Sequence, residues 1–179
     1  RYFLEATLAF STVLPAVMST GELLKTYPRL YSGMEFYYKL HLKFPHAAAA
    51  CILMLSGVCL LLIPVFPDLL FPLLWISPVV IILAMQSLAG EESFVSPLSS
   101  GDWRGVAVYA FAALLCGFFW EMWNYYSEAR WIYSIPFVHR FMIFEMPVPG
   151  YAGYLPFGIE CAVAAGLFAE RGEEPWKFI

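Results

Sequence analysis

Apolar residues come in long runs along this chain, and the breaks between runs are the first structural information. The runs cover residues 2–24, 46–63, 69–88, 106–126 and 154–169. A helix needs about 20 apolar residues, at a rise of about 1.5 Å each, to cross the hydrocarbon of a bilayer. The pattern therefore predicts an all-α fold: a polytopic integral membrane helical bundle, a single domain of about five transmembrane helices.

The polar breaks carry the rest of the plan. Pro15 is expected to kink the first run, which Glu5 also interrupts, since a membrane helix tolerates proline when neighbours satisfy the freed carbonyl. The second run opens with four alanines and holds no charge, and Pro64 to Asp68 then forms a tight turn. Pro72 and Pro78 should bend the third run. Between the first two runs, Tyr27, Tyr31, Phe36, Tyr37 and Tyr38 stand beside Lys25, Arg29, Lys39 and Lys43. That mixture reads as an interfacial segment, a short helix lying on the bilayer. Residues 90–104 are a polar loop, and 127–153 an aromatic one.

Composition agrees with lipid as the solvent. The chain is 61% hydrophobic, 18% aromatic and 13% charged, with a mean hydropathy of +0.69, where soluble chains carry about 25% charged residues. A soluble domain of 179 residues cannot hide so much apolar surface. The net charge of -4 is scattered with no basic stripe, so nucleic acid is set aside as a partner. Cys51, Cys59, Cys116 and Cys161 lie within apolar runs without a C-x-x-C pair and read as packing residues.

Lys and Arg set the orientation. Seven fall in 25–45, 90–104 and the tail, against Arg1, Arg130 and Arg140 on the other side. The amino terminus is expected outside and the carboxyl terminus in the cytoplasm, a multi-pass arrangement in a bacterial inner membrane.

Candidate chemistry gathers between Gly117 and Glu160. Glu121, Asn124, Glu128, Glu145, Tyr151 and Glu160 form the predicted polar cluster, among Trp, Tyr and Phe. Glu121 lies about 8 Å below the outer end of the fourth run and Glu160 about 9 Å below that of the fifth. Both are expected at the same depth. Asn124 and Glu128 follow Glu121 by three and seven residues and would share its helical face, with Glu145 brought back over the cluster and Glu5 entering from the same side. An intramembrane carboxyl needs a reason to be there. It can act as interhelical glue, bonding Asn124, a Tyr hydroxyl or a Trp N–H; as a proton donor or ligand; or as lining for a bound lipid, quinone, carotenoid or chlorophyll.

Other chemistries find no pattern. Glu121 is followed three residues on by Asn124, where a di-iron bundle would place His, and no metal is assigned. His41, His46 and His139 sit at run ends or in loops and read as hydrogen-bonding anchors. G-x-S-x-G, P-loop and G-x-G-x-x-G motifs are missing. Trp120, Trp123, Tyr125, Tyr126, Trp131 and Tyr133 read as an aromatic belt.

Gly101-Asp102-Trp103-Arg104, Trp120-Glu121-Met122-Trp123-Asn124, Phe144-Glu145-Met146-Pro147, Gly150-Tyr151 and Leu155-Pro156-Phe157 with Glu160 resemble an uncharacterised family of bacterial polytopic membrane proteins. The W-E-x-W-N and F-E-M-P-x-x-G-Y elements carry the likeness, over roughly residues 69 to 168. It implies a bacterial membrane protein and brings no activity.

Two functions remain. The favoured one is a small non-catalytic integral membrane subunit of a larger redox, photosynthetic or similar complex, with membrane lipids and other membrane subunits as its partners. It supplies packing and contacts to lipid, quinone or pigment. The alternative is a membrane enzyme that protonates an isoprenoid or other apolar substrate, with Glu121, Glu145 and Glu160 as candidate catalytic residues.

Overall fold

The computed structural model describes residues 11–41, 44–133 and 141–168. Glu5 with the first part of the first run, Lys43, His139, Arg140 and the charged tail lie outside them.

The chain is mostly helical. α1 spans Val13–Lys25, α2 His46–Leu62, α3 Pro67–Leu70, α4 Leu73–Ala89, α5 Arg104–Tyr125, α6 Val148–Tyr151 and α7 Tyr154–Gly166. Among the described residues, α5 is the one helix both long and apolar enough to cross a membrane. α2 and α4 are shorter apolar helices of 17 residues each.

Proline explains where the elements depart from the runs. The third run is two helices, because Pro72 has no N–H to give and its ring crowds the carbonyl four residues back. It stands at the head of α4 with φ -60° instead of bending one long helix. Pro15 falls in the first turn of α1, where a missing N–H costs nothing. Pro78 is carried inside α4. Gly90 closes that helix in the left-handed conformation, φ 70°, and the Glu91 N–H donates to the Gln86 carbonyl at 3.0 Å.

The segment after α1 is not a surface helix. It forms two short 3-10 turns, Pro28–Leu30 and Met34–Phe36, strapped to the loop before α5. The Tyr37 N–H donates to the Gly101 carbonyl at 3.0 Å, Leu40 to Leu98 at 2.9 Å and Trp103 to Met34 at 2.9 Å, while Trp103 Nε1–H reaches the Tyr38 carbonyl at 2.6 Å. Gly101 sits at φ 93° with the Tyr37 carbonyl against its Cα, a position no side chain can occupy. Asp102 and Arg104 pair at 2.8 Å in the same layer.

The bundle core lies where α5 meets α1 and α7, and α4 packs on α7. Both neighbours run antiparallel to α5 and approach through glycine: Gly21 faces the Tyr109 ring, Gly117 the Tyr154 ring, and Gly158 the Tyr109 backbone carbonyl. Val17, Ala112, Ala113, Cys116 and Cys161 fill one part of this core. Leu83, Phe94, Leu98, Tyr109, Ala162 and Val163 fill the other. α2 rests on α4 at the edge of the bundle and buries only Ala49. Between α5 and α7 the chain also makes a small antiparallel hairpin, β1 (Met142–Ile143) with β2 (Met146–Pro147). An all-α pattern does not anticipate it.

Candidate functional site

Glu121, one turn from the end of α5, is fully buried. Two segments converge on it. The Tyr133 hydroxyl donates to Glu121 Oε1 at 2.6 Å and the Tyr154 hydroxyl donates to the same oxygen at 2.7 Å. Trp131 Nε1–H in turn donates to the Tyr133 oxygen at 2.6 Å. Two phenol donors at charge-assisted distances are what allow a carboxylate to stand in apolar surroundings. The other oxygen, Oε2, is buried with no hydrogen-bond partner among the described residues.

Local sequence accounts for the convergence. Asn124, also buried, shares the Glu121 face of α5. Its amide donates to the Trp131 carbonyl at 2.9 Å and accepts from the Trp131 N–H at 2.8 Å. Asn124 thus ties down the returning chain as a strand neighbour would. With Trp131 held, Tyr133 two residues later reaches Glu121. Gly117 stands one turn below Glu121, and its missing side chain is the space the Tyr154 ring fills. That ring placement brings the α7 phenol to the carboxylate.

The hairpin closes the end of the bundle. Phe144, at its tip with φ 57°, packs edge-on against Phe118 at 5.5 Å between centroids. Met146 and Pro147 are buried. Tyr151 is buried beside Tyr154 and donates to the Ile143 carbonyl at 3.2 Å. Burial first, and then the Glu121 carboxylate, push the Tyr151 phenol up to about 12. The Tyr133 phenol is raised for the same reasons, with its bond to Glu121 adding to burial. Both phenols hold their protons through the physiological range.

The predicted cluster is therefore divided. Glu121, Asn124 and Tyr151 come together with Tyr133 and Tyr154. Glu128 does not share the helical face: α5 stops at Tyr125, and Glu128 lies in an exposed turn beyond it. Glu145 occupies the hairpin turn and pairs with Arg130 at 3.1 Å instead of bonding Glu121. Glu160 is half-buried on α7. The Gly117–Tyr154 contact puts it about 9 Å along α7 to one side of the crossing and Glu121 about 6 Å along α5 to the other. The equal depth expected of them fails because the hairpin and α6 occupy the level at which α7 was expected to begin.

A second polar group escaped the sequence reading. At the opposite end of α5, the Tyr109 hydroxyl donates to Glu22 Oε1 at 2.9 Å, and Lys25 Nζ pairs with the same carboxylate at 2.7 Å. The signal was present as Glu22 and Lys25 one helical turn apart. Tyr109 could be assigned to them only once the helices were packed.

Among the described residues no three His, Cys, Asp or Glu side chains come together to hold a metal ion. Chemically, the Tyr133–Glu121–Tyr154 chain can fix a loop and two helices to one carboxylate, or pass a proton along its hydroxyls. No family model, curated protein or solved structure matches the chain.

Proposed function

We propose that this chain is a small non-catalytic subunit embedded in a bacterial inner membrane, docking by its apolar faces into a larger membrane assembly. The observation that carries the reading is the surface of its helices. α2 has no charged residue and buries only Ala49, with Met54 74%, Leu55 64% and Leu61 80% accessible. α5 is long enough to span, and only 39% of its apolar window is buried, unlike the core helix of a soluble protein. Surfaces of this kind need lipid or protein against them. At 17 residues, α2 and α4 meet the lower limit of about 17 for a span.

The closed Glu121 site fits this role. Its two donors come from a loop and from α7, and the carboxyl is fully buried, the behaviour of interhelical glue. The likeness of Trp120–Asn124 and Phe144–Pro147 to bacterial polytopic proteins supports the same membrane. The excess of Lys and Arg in 25–45 and 90–104 supports a cytoplasmic side for those loops, with the Glu121 end outward. Gentle detergent extraction from native membranes, followed by identification of whatever migrates with the chain, tests the proposal. Larger membrane proteins in the band are expected, and a chain that always runs alone contradicts it.

One observation favours the second reading, proton transfer to an apolar substrate. Glu121 Oε2 has no partner among the described residues and is the atom available to carry a proton. In that case Glu121→Gln abolishes turnover of an isoprenoid found with the protein. Unchanged turnover in that variant removes Glu121 from any mechanism.

A further inference from the structure

Three oxygens meet near the end of α5, and two of them belong to phenols. The Tyr133 and Tyr154 hydroxyls stand 2.6 and 2.7 Å from Glu121 Oε1, and the two hydroxyls also interact with each other. The oxygens therefore close a triangle, with one corner from α5, one from α7 and one from the 127–133 loop. Its sides are those of a coordination shell drawn slightly tight: a small octahedral cation with ligands at about 2.0 Å holds neighbouring oxygens about 2.8 Å apart. Glu121 Oε2 is buried and without a partner among the described residues, so the same carboxylate has a further donor atom to give. Trp131 Nε1–H, 2.6 Å from the Tyr133 oxygen, supplies the outer hydrogen bond that orients a metal ligand.

We propose that Glu121, Tyr133 and Tyr154 form a binding site for ferric iron. Charge selects the ion. Two phenolates and one carboxylate carry three negative charges, and a trivalent cation brings the buried group to the neutrality that apolar surroundings require. A divalent ion would leave one charge uncompensated there, or one phenol still protonated. Ligand type points the same way, because hard anionic oxygens suit hard cations, whereas zinc and copper favour imidazole and thiolate. Binding exchanges protons for metal with no change of oxidation state. Both phenol O–H bonds break, two Fe–O bonds form in their place, the carboxylate bonds through Oε1, and two protons pass to water. The protons that leave are the ones that bond the phenols to Glu121. Tyr133 is half-buried and follows the exposed Trp131 and Ile132, so its loop is the way in. Water arriving by that route completes the shell. The assignment holds whether or not the chain docks into a larger assembly.

The purified chain in detergent, treated with a chelator and then given one equivalent of ferric nitrilotriacetate, tests the site. One iron per chain is expected, with the visible charge-transfer absorption of an iron–phenolate bond and tyrosinate bands in the resonance Raman spectrum excited within it. Iron held by carboxylates elsewhere gives neither signal. Tyr133→Phe keeps the ring and the Tyr154–Glu121 bond, so the fold should survive, and the absorption per iron should fall to about half, one phenolate of two. Trp131→Phe removes the hydrogen bond on the Tyr133 oxygen at an exposed position. It should move the absorption to longer wavelength, because the phenolate loses a donor that stabilises its charge. Circular dichroism checks that both variants stay helical. Unaltered protein that develops no phenolate absorption overturns the proposal, as does full absorption in Tyr133→Phe or an unmoved band in Trp131→Phe.

Discussion

Glu121 can be buried because two phenols pay its desolvation, and its removal should cost more than the loss of either. Glu121→Ala leaves two half-buried hydroxyls without their acceptor, each costing up to about 1–3 kcal/mol. Tyr154→Phe removes one of two donors and should cost about 1–2 kcal/mol. Thermal unfolding in detergent, followed by tryptophan fluorescence, should therefore rank Glu121→Ala well below Tyr154→Phe. The reverse order would mean that the carboxylate itself is a burden on the fold. At the other end of α5, burial alone would raise the Asp102 carboxyl. The side chain, backbone N–H and charge of Arg104 outweigh it and hold Asp102 below its ordinary value. The sign follows: this pair stabilises the fold above the ordinary carboxylate range and is lost as the pH falls through the lowered folded value. Asp102→Asn should flatten the acid limb of the unfolding profile by removing that stability at neutral pH, a small loss because the pair is partly exposed. An unaltered acid limb would assign it to other carboxylates.

Between elements, glycine sets how closely the helices pack. A methyl on Gly158 would run into the Tyr109 backbone carbonyl, which cannot turn aside as a side chain can. Gly158→Ala should cost at least about 1–3 kcal/mol. Gly57 on α2 has open space around its Cα, and Gly57→Ala should be neutral or stabilise by about 0.5–1 kcal/mol through helix propensity. A pair of melting curves checks both, and equal effects would refute the α5–α7 crossing. Asn124 binds a returning segment instead of a second helix. Asn124→Ala should free residues 126–133 and speed proteolytic nicking there while α5 stays helical. The three-residue spacing put both polar residues on one helical face. It could not reveal that Asn124 serves the backbone of Trp131 and Glu121 the phenols of two distant segments.

Over the whole molecule, the two polar ends of α5 define opposite faces. One holds the 26–41 strap, Asp102 and Arg104, and the other holds the Glu121 site under the hairpin. In the proposed orientation, Ser127→Cys should react from outside intact cells with an impermeant maleimide, and Ser99→Cys only after lysis. Both positions are exposed. Labelling in the opposite order would reverse the topology. Helical character and most helix boundaries were legible in the sequence, because long apolar runs and prolines are local signals. The runs at 46–63 and 106–126 match α2 and α5 to within two residues; the count changed twice, where Pro72 splits the third run and where the one-turn α6 forms within the expected aromatic loop. The apolar composition was legible too, and among the described residues it yields one helix, α5, long and apolar enough to cross a membrane.

What the sequence determined by itself was which stretches are helical, where proline and glycine end them, and that Glu121 and Asn124 share a face. These depend on neighbours within one or two turns. Only the tertiary structure decided which groups answer Glu121. Tyr133 and Tyr154 stand 12 and 33 residues from it, and their arrival depends on the Asn124 tie and on the space beside Gly117. The same packing separated Glu160, Glu145 and Glu128 from the site. Their depth and direction are fixed by the α5–α7 register, by the Arg130 ion pair and by the end of α5 at Tyr125, none of which is written in the spacing of carboxylates along the chain.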